Sequence, residues 1–472
     1  MVFPLTRRPN CLIFAPLLKF YHSYKELVWH ISKLAFPITI GQLGLVLMGF
    51  ADVVMLGNYK TIDMSAAGFG NAIFFLFMLL GVGTMYAVST ITSIADGEDR
   101  PQQAIPIFFS SIRVATVLSI LLMGVNTWLY YNLSIFKQSP ELTRLGAEYI
   151  RIVNYSVPAL MFFNCGKQLL DGLGKTQMSM YVTFFGLILN VVLNYVLIFG
   201  KMGFDEMGLA GAAWATVISR FAMAIIMMVW AWWHPLMNEL KKRPIEQISY
   251  FKEILKIGVP VGFTFFFEIA AFSIALVFAG MLSDLHSAAH QIAINLASVT
   301  YMFVTGIAAA GNIIVGNHYG ANDAAGIRRS GFAALIITVL IEILFALIFF
   351  IFYKQLPLIY TSDPNLLAIT PPLILLAAIF QMSDGLQAVG AGVLRGIKDT
   401  RITGIIAFVC YWLIMIPGAY YLCFYTPMGI NGIWLAFVVG LTFAAILLLY
   451  RFNKMSKPQN LKFEHLGQNK AA

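Results

Sequence analysis

Apolar residues dominate this chain in long runs, each about the length that crosses a hydrocarbon core as a helix, roughly 20 residues. Twelve such runs lie near 34–57, 66–94, 106–131, 148–170, 178–200, 208–233, 254–282, 290–317, 330–353, 367–395, 401–425 and 430–453. The pattern predicts an all-α integral membrane protein with twelve transmembrane helices. One long polar stretch, "HPLMNELKKRPIEQISYFKE" at 234–253, divides the runs six and six. The expected organisation is a cytoplasmic N-terminal segment (1–33), a six-helix lobe (34–233), a cytoplasmic linker (234–253), a second six-helix lobe (254–453) and a cytoplasmic tail (454–472).

The two halves repeat one another. "ISKLAFP" at 31–37 returns as "ILKIGVP" at 254–260, an offset of 223. "SAAG" at 65–68 returns as "SAAH" at 287–290, and "MGLAG" at 207–211 as "MGING" at 428–432. Gly172 and Thr176 return as Gly396 and Thr400. Each match is short, but their nearly constant spacing marks a duplication. An offset of six spans preserves orientation, so the lobes are expected to be parallel repeats about an axis along the membrane normal. Transporters built this way place their substrate site near the midplane between the repeats.

Composition agrees with the pattern: 59% of the 472 residues are hydrophobic and 11% charged, against about 25% charged in soluble domains. The net charge of +9 reports topology and not a polyanionic partner. With both termini cytoplasmic, Arg220 sits mid-span and only Lys60, Lys137, Arg144, Arg151, Lys201 and Lys354 fall on the outer side. That asymmetry is the positive-inside bias. The four cysteines, Cys11, Cys165, Cys410 and Cys423, form no CxxC and no zinc spacing. Cys165, Cys410 and Cys423 lie in apolar segments and read as packing residues. The run "RRPNCLIFAPLL" is too short and broken for a signal peptide and reads as a cytoplasmic or interfacial segment.

Against this background the intramembrane acids carry the chemistry. Asp52, Glu268, Glu342 and Asp384 all lie well inside apolar runs. A charge at a helix centre costs about 2.5–3.5 kcal/mol on insertion scales, so three unpaired carboxylates would cost roughly 8–10 kcal/mol. They must face a wet cavity, bind a cation, carry a proton, or serve as structural hydrogen-bond or salt-bridge partners. Asn190 and Asn194 share one helix face and with Asp52 make a candidate oxygen cage for Na⁺ or a relayed proton. Gln381, Asp384 and Gln387 form a polar stripe on the tenth span; Gln291 and Asn295 do so on the eighth. Glu342 lacks such neighbours and is expected at a structural or rim position. Lys167 and Asp171 are expected to pair or snorkel at a cytoplasmic helix end. The aligned offset pairs Glu268 with Leu45 and Asp52 with Ala275, so the lobes place their acids at different depths.

Enzyme signatures are missing. "DGLGKT" lacks the first glycine of a phosphate loop, which would fall at Leu169, and no HExxH, GxSxG or dinucleotide fingerprint occurs. His286 and His290 are one turn apart but are not expected to hold a metal.

The segments "FADVVMLG", "NVVLNYVLIFGKMG", "FFFEIAAF", "AAHQIAINLAS" and "QMSDGLQAVGAGVLRGIKDT" resemble the multidrug and toxic compound extrusion (MATE) family, in its NorM-like bacterial branch. The resemblance covers about residues 30 to 455. It implies a multi-pass inner-membrane antiporter, not an enzyme, that expels small organic cations in exchange for Na⁺ or H⁺ and carries no cofactor. It implies cation-coupling residues Glu268 and Asp384 in the C-terminal lobe, a possible Na⁺ site, with Gln291 and Asn295 beside them. In the N-terminal lobe it implies Asp52, Asn190 and Asn194. Gln381, Gln387, Phe265 and Phe380 are expected to line the substrate cavity. Many relatives carry tyrosine where this chain has Phe380, which removes a hydroxyl ligand. The expected partners are organic cations and the lipid bilayer, with no nucleic acid, and the chain is expected to act as a monomer.

The expected mechanism is competition of drug and ion for the same carboxylates in alternating states, with phenylalanine faces attracting flat cations. The alternatives are a flippase for lipid-linked or polysaccharide precursors, whose anionic cargo calls for Arg or Lys in the cavity, and an ion channel, which needs a continuous pore.

Overall fold

The computed structural model describes residues 14–246 and 248–463, which are mostly helical, with no strand among the described residues. Residues 1–13, including Cys11 and the first part of the proposed N-terminal segment, lie outside them, as does the end of the tail. In chain order the helices are α1 (Phe14–Gly57), α2 (Thr61–Gly97), α3 (Ala104–Tyr131), α4 (Pro140–Val153), α5 (Val157–Gly172), α6 (Gln177–Ile198), α7 (Gly208–Trp233) and α8 (Pro235–Leu240). The second half holds α9 (Phe251–Leu282), α10 (Asp284–Gly320), α11 (Ala324–Phe352), α12 (Pro364–Gly396), α13 (Thr400–Phe408), α14 (Ile416–Phe424) and α15 (Ile430–Met455). Only helices satisfy every backbone group within one span in lipid, which is why apolar runs of this length fold so.

Among the described residues, eleven helices are long and apolar enough to cross a membrane. The fourth predicted run folds differently, as α4 and α5 joined by a 3₁₀ turn at Asn154–Ser156. Pro158 has no N–H to donate at the start of α5. Asn154 uses its side chain instead, donating to the Met123 carbonyl at 3.2 Å and to Thr127 Oγ1 at 3.1 Å. Helix α1 begins well before residue 34, so part of the segment expected to be a tail continues the first span. The linker contains the short helix α8. In the eleventh span α13 passes through a π-helical turn at Val409–Met415 into α14, just ahead of Pro417.

Both described chain ends, the α7–α9 connection and most basic residues share one side, called here the basic face. The repeat is written into the contacts at that face. A Cβ on Gly97 of α2 would fall 1.9 Å from the Asn317 carbonyl oxygen of α10, and one on Gly320 of α10 would fall 2.1 Å from that of Ile94 of α2. Gly97 and Gly320 are 223 apart, as are Ile94 and Asn317. The same relation holds one layer deeper. Gly306 of α10 packs against Ala35 and Thr39 of α1, while Gly83 of α2 packs against Gly262 of α9. Pro37 and Pro260, also 223 apart, interrupt α1 and α9. The duplicated sequence thus forms two lobes in parallel repeat, joined where small residues let backbones touch. Thr90 Oγ1 donates to Asn312 Oδ1 (2.9 Å) and Asn317 Nδ2 to Asp96 Oδ2 (2.9 Å) across the same seam.

Away from the basic face the lobes leave polar side chains uncovered. Gln291, Asn295 and Ser298 of α10 are exposed and recur at helical spacing toward Thr305, which lines a cleft in the C-terminal lobe. Polar residues at this depth face water and not lipid. Lipid meets the apolar exteriors instead, including Ile120, Leu340, Phe350 and Ile446.

Candidate functional site

In the C-terminal lobe Glu268 is 4% exposed. Tyr301 on α10 donates its hydroxyl to Glu268 Oε1 at 2.8 Å, and Gln387 Nε2 on α12 lies 3.4 Å from Oε2. Gln387 also donates to the Tyr411 hydroxyl at 2.5 Å. Tyr411 belongs to the π turn, so that irregular turn presents its side chain to the site. Asp384, one turn before Gln387 on the same helix, is buried, and its Oδ1 has no hydrogen-bond partner among the described residues.

Glu342 joins this group unexpectedly. It is 1% exposed, which excludes the rim position and is consistent with the structural one. Its carboxyl lies on α12 beside Asp384, where a Cβ on Gly385 would fall 2.8 Å from Oε1. Its Oε2 also lacks a partner among the described residues. Nothing around it along the chain signals this, because its polar neighbours come from another helix.

Other expectations need correction. Phe380 does not line a cavity: it is 2% exposed and packs with Phe272, Trp434 and Phe437. Gln381 is buried and accepts from Thr300 Oγ1 at 3.1 Å, away from the cleft wall. Gln291 and Asn295 are exposed and hydrogen-bond each other at 3.4 Å; no contact brings them to the carboxylates among the described residues. The hydroxyl absent at Phe380 has counterparts in Tyr301 and Tyr411, supplied by other helices.

The N-terminal lobe assembles Asp52, Asn190 and Asn194 as their spacing suggested, and adds Thr216. Asn194 Nδ2 donates to Asp52 Oδ1 at 2.6 Å and to Asn190 Oδ1 at 3.2 Å, and Thr216 Oγ1 donates to Asp52 Oδ2 at 2.9 Å. Arg220 donates to Ser156 Oγ at 2.8 Å and stacks over Phe74 and Phe75. Lys167 and Asp171 form the anticipated pair at 2.6 Å, with Ser179 donating to Asp171 at 3.3 Å. The lobes therefore differ chemically: Asp52 has a donor on each oxygen, while Asp384 and Glu342 each have an oxygen without one.

A cleft opens among α9, α10, α12 and α13 of the C-terminal lobe, where Tyr86 of the N-terminal lobe meets it. Its wall includes Glu268, Gln387, Phe265 and Arg395 from the C-terminal lobe and Tyr86 from the N-terminal lobe. Phe265 meets Tyr86 edge-on at 5.6 Å, and Gln42 donates to the Tyr86 hydroxyl at 3.1 Å. Of the four expected cavity residues, Gln387 and Phe265 line it. Tyr86 and Arg395 went unnoticed in the sequence, though Arg395 stands within "GVLRGIKDT".

Two pseudo-symmetric helical lobes that span a membrane, with the buried carboxylate Glu268 in the wall of a pocket, define a multi-pass membrane transporter. A family model, MatE, matches residues 37–196 and 260–421, once in each lobe. The chain is 30% identical over 445 residues to the multidrug resistance protein NorM of Photobacterium profundum, covering 91% of this chain and 96% of that one. The chain belongs to the MatE family, whose members are transporters and not enzymes.

Solved structures share the fold. The eukaryotic MATE transporter AtDTX14 superposes with a TM-score of 0.85 at 18% identity, over 93% of this chain and 99% of that one. A multidrug resistance MATE transporter in an outward-facing conformation gives 0.77 at 20% identity, over 91% and 97%. A transporter of the same superfamily from Pyrococcus furiosus, noted for a binding pocket of reversed polarity, gives 0.79 at 19%, over 91% and 96%.

Proposed function

We propose that this protein is a secondary active multidrug efflux antiporter of a bacterial inner membrane, exporting organic cations in exchange for Na⁺ or H⁺ by alternating access. The observation that carries this reading is Glu268 in the cleft wall, held by Tyr301 and Gln387 beside the under-coordinated Asp384. Two buried carboxylates with few donors favour whatever neutralises them. A proton, a Na⁺ ion or a cationic drug each does so, and they compete.

Glu268 holds the cationic group of the drug, while Phe265 and Tyr86 supply aromatic faces for its body. Ion entry from the outer side removes the negative charge and releases the drug outward; ion loss on the other side restores the charge. Orientation follows from the basic face being cytoplasmic, which makes the present arrangement, sealed at that face, the outward-open state. Asp52, with both oxygens satisfied, acts as the scaffold of the N-terminal lobe or as a separate proton site. The lobes close around the cargo as rigid bodies, so transport follows only if drug and ion bind the two states with different affinity.

A channel needs a continuous pore, which the glycine-mediated seam at the basic face argues against. A flippase for polyanionic precursors calls for several cations, whereas the cleft wall holds Arg395 together with the carboxylate Glu268. The test is drug resistance conferred on a sensitive bacterial host. Glu268→Gln and Asp384→Asn, at wild-type expression, should each abolish it; undiminished resistance in both would sink the proposal.

A further inference from the structure

The lipid-facing side of α3 carries a cation. Phe109, Arg113, Val117, Ile120, Gly124 and Trp128 are all exposed, at spacings of three and four residues, and so form one stripe of the helix. All but Arg113 are residues that hydrocarbon accepts.

The membrane boundaries can be read along the same helix. At the basic face Phe109 meets Trp232 of α7 edge-on at 5.5 Å, and the adjacent Trp233 is 66% exposed. At the other end Trp128 and Tyr131 are exposed. Tryptophan and tyrosine collect at membrane interfaces. Phe109 and Trp128 are 19 residues apart, about 29 Å at 1.5 Å per residue, which matches the thickness of a hydrocarbon core. Arg113 therefore lies one turn inside the boundary, about 6 Å deep. A charge there must bend back to the interface.

The protein offers it no anion. Among the described residues Arg113 makes no hydrogen bond and no ion pair, whereas Arg220 is held by Ser156 and two rings. At the interface itself stands more positive charge. Lys241, at the end of α8, lies 3.6 Å from the Trp232 ring centroid and donates to the Trp232 carbonyl at 2.6 Å and to Asn238 Oδ1 at 3.2 Å. Lys242 and Arg243 follow it and are exposed. Glu239, the acid of α8, forms no ion pair among the described residues. The aromatic contact of Phe109 with Trp232 thus has a cation on each side and no carboxylate bonded to either.

We infer that α3, α7 and the start of the linker form a binding site for the phosphate of an anionic phospholipid in the leaflet at the basic face. Arg113 meets the phosphate from the membrane side and Lys241 and Lys242 from the aqueous side, while the acyl chains run along Phe109, Val117 and Ile120. Arginine suits this place, since its planar fork donates two parallel hydrogen bonds to a phosphate. A lipid and not a soluble anion is the occupant, because the approach to Arg113 is through the apolar stripe. The site adjoins the connection between the lobes at both ends: the linker leaves α7 at Trp233 and is tied back to α3 where the Tyr250 N–H donates to Ser110 Oγ at 3.0 Å.

The test titrates the purified full-length protein with dioleoyl phosphatidylglycerol and dioleoyl phosphatidylcholine, which share their chains, and counts bound lipid by native mass spectrometry. The readout is the ratio of the two affinities. Each cation near a phosphate is worth about fivefold, so wild type should prefer phosphatidylglycerol about tenfold or more. Arg113→Gln should cut that ratio about fivefold, Arg113→Lys should keep most of it, and Lys241→Gln combined with Lys242→Gln should also lower it. Arg329→Gln removes an exposed charge from the same face on α11 and should leave the ratio unchanged. Excess inorganic phosphate should not displace the bound lipid. Equal binding of the two lipids by wild type, an unchanged ratio in Arg113→Gln, or an equal fall in Arg329→Gln would overturn the inference. Displacement by inorganic phosphate would overturn it too, by making this a site for soluble anions.

Discussion

The seam between α2 and α9 gives a sharp perturbation. A Cβ added to Gly258 would lie 2.2 Å from the Thr84 carbonyl oxygen and 2.9 Å from the carbonyl carbon and Cα of the same residue. These are backbone atoms that cannot swing aside. Relieving the overlap requires α9 to retreat from α2 by about 1 Å to reach ordinary contact. Overpacking of this kind costs about 1–3 kcal/mol, and the cost falls only on the state in which the two helices touch. Gly258→Ala should therefore shift the equilibrium about 5- to 150-fold away from the state sealed at the basic face.

The assay is labelling of Asn295→Cys, on the exposed stripe of α10, by an impermeant maleimide added outside in a cysteine-free background. Labelling should slow and drug efflux should fall in the Gly258→Ala variant. Gly280 on the same helix is the control, because a Cβ there meets nothing within 4 Å. Wild-type labelling and efflux in Gly258→Ala, or an equal effect of Gly280→Ala, would refute the reasoning.

Four further outcomes follow from contacts. Thr216→Ala removes one of two donors to Asp52 and should lower stability by about 1–3 kcal/mol, seen as a reduced melting temperature in lipid or detergent. Gly385→Ala pushes on the Glu342 carboxyl and should also destabilise, whereas adding Glu342→Ala should recover most of the loss. Additive effects in that double-mutant cycle would deny the contact. Phe380→Ala empties a buried aromatic cluster and should cost about 3–5 kcal/mol of stability. Phe265→Ala should instead weaken binding of aromatic cations, by about 0.5–2 kcal/mol, with little change in melting temperature.

Much of the fold was legible because membrane helices are specified by long-range patterning that a single sequence displays. Run length gave the spans, and the 223 offset gave the lobes. That offset reappears in the structure as paired glycine contacts such as Gly97 with Asn317 and Gly320 with Ile94. The broken fourth span was less visible, since α4 is amphipathic and Asn154 bonds to a different helix.

Site residues sorted by where their partners come from. Asp52, Asn190 and Asn194 were readable because two of the three share a helix face. Tyr301 and Tyr411 were not, because each reaches the site from another helix with no motif to announce it, and Arg395 shares α12 with Asp384 but stands about three turns further along. Phe380 misled because its sequence neighbour Asp384 is in the site while it points into the aromatic core of the lobe. One turn of helix separates the two environments.

The central claim is that Glu268 exchanges a coupling cation for a drug cation. It is tested most directly by efflux of a fluorescent organic cation from proteoliposomes under an imposed Na⁺ gradient or an imposed pH gradient, in wild type and in Glu268→Gln. Uphill efflux driven by at least one gradient in wild type, and lost for both in Glu268→Gln, is the predicted result. Gradient-driven efflux that persists undiminished in Glu268→Gln would contradict it.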